Sequence, residues 1–382
     1  MRVGIDITSL LVTSGGVGRY LRNAVAGLLR ADAPARYRFF PVDFERVRDG
    51  ESALWASRAR GRMPGLFSAL GIWSAAGWNL LGRPAQDWFT GPVDVFHTSD
   101  LVPLPRRTGR IVSTIYDLAP EILPAEHNPR LRRLHQLRNR DIARRSDVVV
   151  AISESTKADV VRYLGVDAAR VEVVYGGVSA AFHPRPEPEV EEARVRYGLH
   201  RPYLIFVGTI EPRKNLVRLV RAFARLRKQG VDQDLELVLV GRRGWRWEEV
   251  DHEIARLDLD AHVRRLGYVP EHDLPALLTG AVALVYPSLY EGFGFPPLEA
   301  MACGTPAIAS AVSSIPEVVD GAGVLVDPYR EDAITDAMGL VLSDRALRDS
   351  LVEAGRKRAG LFPWDRTGRA LYGVYRSVLE RS

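Results

Sequence analysis

Short apolar runs alternate with helical stretches along the whole chain. The runs are continuously apolar, which is typical of parallel strands buried on both faces. Repeated strand–helix–strand units of this kind predict an α/β fold with doubly wound parallel sheets. The predicted strands are Arg2–Ile7, Val93–His97, Arg110–Thr114, Val148–Ile152, Val171–Val174, Tyr203–Val207, Glu236–Val240, Val263–Leu266, Ala283–Tyr286, Pro306–Ser310 and Gly323–Val326.

A proline-rich segment separates two similar halves. His183–Glu191 holds three prolines among acidic residues, a composition typical of a linker. A chain of 382 residues also suits two domains of roughly 150 residues each. We therefore predict one Rossmann-like domain over residues 1–182 and a second over residues 199–364. A final helix is expected from about Asp365 to Glu380.

The composition is that of an ordinary soluble protein, with 46% hydrophobic and 26% charged residues. No apolar run reaches the roughly 20 residues of a membrane-spanning helix, and the first residues lack a signal-peptide pattern. The single cysteine, Cys303, excludes an intramolecular disulfide and fits a reducing compartment. These features predict a cytoplasmic protein in which Cys303 is a buried structural thiol.

Charge is distributed unevenly between the halves. Residues 1–180 carry 25 Lys and Arg against 18 Asp and Glu, a net +7, whereas the remainder carries 27 against 29, a net −2. A basic half indicates an anionic partner such as a phosphate, a lipid headgroup or a nucleic acid. An arginine-rich solvated surface explains the same numbers, and the sequence leaves both interpretations open.

Two glycine-bearing segments follow predicted strands, at the edge where open α/β sheets bind their ligands. In the first, Gly15 and Gly16 precede a helix whose free N–H groups would favour an anion, although a purely structural turn has the same pattern. In the second, 208–215, Arg213 and Lys214 precede a helix and suit a pair of phosphates. A solvated loop pair capped by Asn215 is the alternative interpretation. Only 4 of the 52 cationic residues are lysines, which favours a phosphate role for Lys214.

The third segment, Pro287–Ala300, carries the most specific pattern. Glu291 and Glu299 flank a glycine-rich string, and a helix beginning near Pro296 would place Glu299 in its first turn. A carboxylate can accept two hydroxyl donors at once, which is how proteins hold the diol of a ribose or a sugar. Helix electrostatics and solvent exposure would explain either glutamate alone but not the whole string.

These strings resemble glycosyltransferase family 4, whose E-x7-E signature is similar to EGFGFPPLE at 291–299. GTIEPRKN at 208–215, SGGVGRY at 14–20, VFHTSD at 95–100, TIYDLAPEILP at 114–124 and VVYGGV at 173–178 resemble the same family. The similarity covers nearly the whole chain and is strongest to the bacterial mannosyltransferase B-like branch. It implies a GT-B fold, in which two Rossmann-like domains face each other across a cleft and the final helix crosses back to the N-terminal domain.

The resemblance implies a retaining hexosyltransferase that needs neither a metal nor another cofactor. The implied donor is a nucleotide sugar, GDP-mannose in this branch. The implied acceptor is a glycan or a polyprenyl-diphosphate-linked saccharide of bacterial surface polysaccharide or lipopolysaccharide synthesis. A location on the inner face of the cell membrane is then an alternative to a freely cytoplasmic one, and no nucleic-acid partner is expected.

Site residues follow from the resemblance position by position. Arg213 and Lys214 would contact the donor diphosphate, Glu299 the ribose hydroxyls and Glu291 the donor sugar. The remaining implied contacts are amide donors at Gly292, Phe293 and Gly294, a diphosphate neighbour at Gly15 and Gly16, and a base seat at Val269 within Gly267–Pro270.

One position departs from the family pattern. Many relatives have a histidine where this chain has Tyr116, and that histidine usually contacts the donor sugar. Tyr116 or Asp117 is the candidate replacement, and His97 is a third candidate, although a histidine at a strand end is often structural.

Two further segments bear on the acceptor. Residues 52–90 contain four of the seven tryptophans together with four arginines, which favours either a membrane-interface segment or a tryptophan-rich core insertion. The stretch Arg130–Arg145 contains seven arginines in sixteen residues and is expected to be mostly a solvated helix face.

Other functions fit parts of the sequence. A UDP-sugar-dependent transferase and a sugar-nucleotide epimerase of similar architecture are the nearest alternatives. A dehydrogenase is disfavoured because no G-x-G-x-x-G turn follows the first strand. A nucleic-acid-binding protein would leave the Glu291 string unexplained.

Overall fold

The computed structural model describes residues 1–7, 9–10, 16–31, 34–40, 91–98, 109–230 and 234–381. The chain forms two compact units. The first comprises Met1–Leu118, Arg133–Gly177 and Trp364–Ser382, and the second comprises Ala119–Arg132 and Val178–Pro363.

The first unit is built on a six-stranded parallel sheet with the order β2-β1-β3-β4-β5-β6. Its strands are β1 (Arg2–Asp6), β2 (Arg36–Phe40), β3 (Val95–Thr98), β4 (Arg110–Ile115), β5 (Val148–Ala151) and β6 (Val171–Val173). The helices met along the same part of the chain are α1 (Gly16–Arg30), α2 (Ala119–Ile122), α3 (Pro129–Arg145) and α4 (Glu154–Leu164).

The second unit contains another six-stranded parallel sheet, with the order β12-β11-β10-β7-β8-β9. Its strands are β7 (Tyr203–Val207), β8 (Glu236–Val240), β9 (Val263–Gly267), β10 (Ala283–Tyr286), β11 (Ala307–Ser310) and β12 (Val324–Val326). The remaining helices are α5 (Glu187–Tyr197), α6 (Leu216–Lys228), α7 (Glu248–Arg256), α8 (Leu274–Thr279), α9 (Phe295–Ala302), α10 (Ile315–Val319), α11 (Glu331–Ser343), α12 (Arg345–Ala359) and α13 (Trp364–Glu380).

The eleven predicted strands are all present, and the central ones are buried along their whole length. Strand β2 was not predicted. Its side chains alternate, with Tyr37 and Phe39 buried while Arg36 is exposed, so it lacks the continuous apolar run that identified the others. Among the described helices, none is both long and apolar enough to cross a membrane.

The segment expected to be a linker, His183–Glu191, runs into the helix Glu187–Tyr197, so that expectation was wrong from Glu187 onward. The same residues fit a helix start as well as they fit a linker. Pro186 is the N-cap residue, and Glu187 and Glu189 lie in the first turn, where the helix dipole favours acidic side chains. Gly198 ends the helix with a φ of 66°, a conformation that glycine adopts without strain.

Two glycines allow α1 and α13 to cross at close range in the first unit. A Cβ atom on Gly27 would lie 2.1 Å from the carbonyl oxygen of Trp364, and one on Gly368 would lie 2.2 Å from the carbonyl carbon of Gly27. Beside this crossing, the rings of Tyr20 and Trp364 meet edge to face at 5.6 Å. The backbone contact itself therefore fixes both residues as glycine.

We predict that Gly368→Ala lowers the free energy of unfolding by about 2–3 kcal/mol, because the added methyl group overpacks the crossing. Gly373→Ala is the matched control in the same helix, since a Cβ there meets nothing within 4 Å. The control should be neutral or stabilising by roughly 0.5–1 kcal/mol. Urea unfolding followed by tryptophan fluorescence and circular dichroism measures both. Equal stability of the two variants would contradict the close crossing.

Candidate functional site

The second sheet changes its direction of growth between β7 and β10. The chain places β8 and β9 on one side of β7, and then β10, β11 and β12 on the other side. Loops that leave the carboxyl ends of two such strands diverge, and ligands of open α/β sheets bind at this switch point. The loops there are residues 208–215 and 287–294, which carry the second and third predicted motifs.

Backbone and amide hydrogen bonds tie these two loops together. The loop after β7 makes a single 3-10 turn over Pro212–Lys214, and Asn215 then turns the chain with a φ of 62° into α6. The Asn215 amide donates to the carbonyl of Pro287 at 3.0 Å, and the Leu289 N–H donates to the carbonyl of Arg213 at 2.9 Å. The cations of one loop are thereby held against the acid of the other.

Glu291 is the centre of a buried charged cluster. Its Oε1 accepts hydrogen bonds from Lys214 Nζ at 2.5 Å and from the Tyr286 hydroxyl at 2.9 Å. Its Oε2 accepts a hydrogen bond from Arg213 Nη1 at 3.0 Å. Lys214 and Glu291 are only 7% and 8% exposed. The structure thus brings together three residues that the sequence singled out in two separate motifs.

The two cations keep the buried acid ionised. Burial raises the pKa of the Glu291 carboxyl, but the charges of Arg213 and Lys214 outweigh that effect and hold the pKa at about 2. Arg213 also donates to Glu211 at 2.9 Å. Burial, assisted by the charge of Arg213, lowers the pKa of Lys214. The cluster therefore presents two donor groups that are fixed in position and shielded from water.

Tyr286 completes the cluster and was missed from the sequence. It is the last residue of β10, and its hydroxyl accepts from Lys214 Nζ at 2.9 Å while donating to Glu291. Burial strongly raises the pKa of its phenol, so it remains a neutral hydrogen-bond donor. Its ring stacks on Phe206 at 5.6 Å. The available signal was a hydroxyl-bearing aromatic at the carboxyl end of a fully apolar strand.

Glu299 lies in the helix that follows the Glu291 loop. Helix α9 begins at Phe295, with Gly294 as its N-cap residue, so Glu299 lies in the second turn and the expectation of a first-turn position was wrong. Glu299 is 3% exposed. Gly294 has a φ of 107°, and a Cβ there would lie 2.5 Å from Ile315, so its place in the turn requires glycine.

Gly292 and Phe293 are both buried in the same loop. The Phe293 ring packs against Phe295 at 4.9 Å and against Phe362 at 5.9 Å. Its side chain therefore belongs to the packing of the second unit. If Phe293 contacts a ligand, its backbone N–H makes the contact, as the family resemblance implies.

A pocket of about 380 Å³ opens at the carboxyl ends of β7, β8 and β9. Ile210 from the Arg213 loop forms part of its wall, together with Tyr268 from the predicted base seat. Tyr268 is 57% exposed and Val269 next to it is 4% exposed. Two arginine–aromatic pairs lie at the pocket, with Arg242 4.5 Å from the Tyr268 ring centre and Arg243 3.8 Å from that of Trp247. Flat aromatic and guanidinium surfaces of this kind suit a planar base.

The candidates in the first unit have different surroundings. His97 is buried, with Nδ1 2.6 Å from the Tyr375 hydroxyl and Nε2 2.7 Å from the Thr114 hydroxyl. Burial lowers the pKa of His97 to about 4, so its ring is neutral at pH 7. Because neighbouring side chains engage both ring nitrogens, this geometry favours the structural role that the sequence left open.

Tyr116 and Asp117 directly follow β4. The Tyr116 ring is buried and meets Tyr20 edge to face at 5.3 Å, while Asp117 is half-buried. Gly16 is the first residue of α1, is exposed, and has no atom within 4 Å of a Cβ built on it. Gly15 lies outside the described residues. In the parts of the chain that are described, no three His, Cys, Asp or Glu side chains form a group suited to a metal ion.

Two family models match the chain. The model described as Glycosyltransferase Family 4 matches residues 14–182, and the model described as Glycosyl transferases group 1 matches residues 190–358. Among curated proteins, the O-antigen chain mannosyltransferase B of Escherichia coli is 32% identical over 275 residues, which are 72% of this chain and 72% of that protein.

Solved structures of similar fold cover the whole chain. Sucrose-phosphate synthase from Thermosynechococcus elongatus has a TM-score of 0.74 and 23% identity, with 100% of both chains covered. Anabaena HepE in complex with UDP-glucose has a TM-score of 0.71 and 17% identity, with 99% of this chain and 100% of that chain covered.

The fold is therefore that of a GT-B glycosyltransferase, as predicted. The chain belongs to glycosyltransferase family 4. The predicted enzyme class, a hexosyltransferase, is confirmed by the same matches.

We predict that Glu291→Gln lowers the free energy of unfolding at pH 7 by about 3–5 kcal/mol, because Arg213 and Lys214 lose the charge that compensates their burial. The folded pKa of Glu291 lies below its unfolded value of about 4.3. Its stabilising contribution is therefore complete above about pH 5 and declines as the pH falls towards 2.

Urea unfolding of wild type and variant at several values between pH 7 and pH 3 measures this difference. Glu353→Gln is the control, since Glu353 and Lys357 form an exposed pair at 2.6 Å that should contribute less than about 1 kcal/mol. A cost for Glu291→Gln as small as the control's, or a cost unchanged at pH 3, would refute the buried-cluster interpretation.

Proposed function

We propose that this chain is a retaining hexosyltransferase that moves mannose from GDP-mannose to a saccharide acceptor in bacterial surface polysaccharide synthesis. The observation that carries the proposal is the buried Arg213–Lys214 pair at the switch point of the second sheet. Two adjacent cations, held by a shared carboxylate beside a base-sized pocket, match the needs of a sugar nucleotide. The relatedness to a mannosyltransferase supports mannose as the sugar.

In the proposed reaction, the bond between the anomeric carbon and the diphosphate oxygen breaks. The acceptor hydroxyl oxygen then forms its bond to carbon on the same face of the sugar, and its proton passes to the departing phosphate oxygen. Negative charge grows on the diphosphate as it leaves, so Arg213 and Lys214 would stabilise the transition state more than the ground state. Glu291 holds both cations in place and would also accept hydrogen bonds from the donor sugar.

The remaining predicted contacts place the rest of the donor. Glu299 would bind the ribose hydroxyls, and the loop amides of Gly292, Phe293 and Gly294 would donate to sugar and phosphate oxygens. The base would enter the pocket beside Val269, between the aromatic and guanidinium surfaces of its wall. Gly15 and Gly16 would approach the diphosphate from the N-terminal domain, where α1 offers its free N–H groups. Tyr116 or Asp117 would take the place of the family's usual histidine.

No metal enters the proposed mechanism, because the Arg213–Lys214 pair supplies the positive charge that a divalent ion would otherwise bring to a diphosphate. Ethylenediaminetetraacetate should accordingly leave turnover unchanged.

The proposed acceptor is a glycan or a polyprenyl-diphosphate-linked saccharide, reached at the inner face of the cell membrane. Relatedness to an O-antigen mannosyltransferase supports this acceptor class. The tryptophan-rich segment 52–90, on which the sequence-based membrane hypothesis rested, lies outside the described residues.

A UDP-sugar donor is the second candidate. The fold neighbour HepE was solved with UDP-glucose, and a uridine would also stack in a pocket of aromatic and guanidinium groups.

We expect Lys214→Ala to reduce turnover by about 10²–10³-fold, because one donor to the departing diphosphate is lost. Lys228→Ala is the matched control, since Lys228 is an exposed lysine at the end of the adjacent helix α6. Release of nucleoside diphosphate at saturating donor measures turnover. Full activity of the Lys214 variant would exclude the proposed leaving-group role.

A donor panel tests the function itself. GDP-mannose, GDP-glucose, UDP-glucose and UDP-N-acetylglucosamine are compared by thermal shift, where a donor at about 100 times its Kd should add roughly 2.7 kcal/mol of stability. GDP-mannose should give the largest shift, and proton NMR of the product should show the donor's α anomeric configuration. A β product would refute retention, and a larger shift with a UDP-sugar would replace the proposed donor by the second candidate.

A further inference from the structure

Helix α3 has an unusual composition for a surface helix. Its seventeen residues, Pro129–Arg145, include seven arginines and a single acid, Asp141. Asp141 pairs with Arg145 at 2.6 Å and approaches Arg144 at 3.6 Å, so it offsets one positive charge. The helix nevertheless retains a large positive excess.

Leucines interrupt this basic surface. Leu134 is 63% exposed, and Leu131 and Leu137 are each 57% exposed, among the largest values for hydrophobic residues of the described chain. A solvated helix face, which the sequence predicts here, would place its leucines against the protein. On α3 the buried positions are instead Ile142 and Asn139, which are 1% and 4% exposed.

Two of the exposed leucines, Leu134 and Leu137, share one side of the helix with three arginines, whereas Leu131 lies about 20° from the buried Ile142. At about 100° per residue, Leu134 lies about 60° from Leu137, and Arg133, Arg140 and Arg144 all lie within about 60° of Leu137. All three arginines are exposed. Ile142 and Asn139 lie on the opposite side of the helix. The outer face of α3 is therefore apolar and cationic at the same time.

We propose that this face of α3, the leucine–arginine face, binds an anionic lipid bilayer. Leucine side chains would enter the boundary between headgroups and acyl chains, while the arginines remain at the level of the lipid phosphates. This inference rests on the proposed function, in which an acceptor carried on a polyprenyl diphosphate requires an enzyme at a membrane surface, and it names the surface that makes the contact.

Charge and apolar contact together distinguish the possible binding partners of the leucine–arginine face. A nucleic acid would also attract the arginines, but it has no use for leucines that are more than half exposed on the same face. A neutral apolar partner would have to accommodate the arginine charges that flank the leucines. An anionic bilayer offers phosphates to the arginines and acyl chains to the leucines at the same surface.

Vesicle flotation with the full chain tests the proposal. Wild type should float with vesicles of phosphatidylcholine and phosphatidylglycerol in equal parts, and much less with phosphatidylcholine alone. The double variant Leu134→Ser with Leu137→Ser should bind the anionic vesicles about tenfold more weakly. The triple variant Arg133→Gln, Arg140→Gln and Arg144→Gln should lose at least as much, and its residual binding should weaken less steeply than that of wild type as salt is added.

The control is Val195→Ser with Leu340→Ser, which removes exposed apolar groups from α5 and α11 (61% and 47% exposed). The control should float like wild type. All variants should keep wild-type circular dichroism and donor turnover in solution, so a loss of flotation is separable from a failure of the proposed transferase activity. Two results would overturn the proposal: leucine variants that float like wild type, or tighter binding to a random-sequence DNA duplex that the leucine changes leave intact.

Discussion

The candidate site of the second unit depends on a carboxylate buried between two cations. Glu291 remains ionised out of water because Arg213 and Lys214 reach it from the neighbouring loop, and its charge in turn compensates the burial of those cations, together with Glu211 in the case of Arg213. The arrangement in turn fixes the two loops, their shared backbone hydrogen bonds and the turn at Asn215. Donors held in this way need no reorganisation when an anion arrives, which is the condition for electrostatic stabilisation of a leaving group.

Much of the architecture follows from the sequence because parallel strands covered on both faces are continuously apolar. That pattern found every strand of the second sheet and failed only at β2, where Tyr37 and Phe39 alternate with arginines. The segment after His183 shows the opposite ambiguity, since prolines and acids describe a linker and a helix start equally well. Local composition could not distinguish a linker from a helix start, because helix formation there depends on what the segment packs against.

The sequence could predict site residues that lie in a motif and carry a charge suited to the ligand. It could not predict which of them come into contact when they are far apart in the chain. Arg213, Lys214 and Glu291 could be named from their strings, but the sequence could not show that they form one ion-pair cluster. The sequence identifies Tyr286 only as an ordinary strand residue, because its position at the carboxyl end of an apolar strand does not show that its hydroxyl reaches Lys214 and Glu291. His97 could be named as a candidate but not resolved, since its two partners, Thr114 and Tyr375, come from different parts of the chain.

The crossing of α1 and α13 has a consequence for how the protein is made. The strands of the first unit precede most of the second unit along the chain, yet the helix that covers α1 is synthesised only after that unit. The second unit consists mainly of one continuous stretch, Val178–Pro363, and is available sooner as a whole. Domains usually fold in the order of synthesis. Here the first unit is completed only when α13 has been synthesised, and until then the nascent chain exposes an apolar face of α1 to which chaperones can bind.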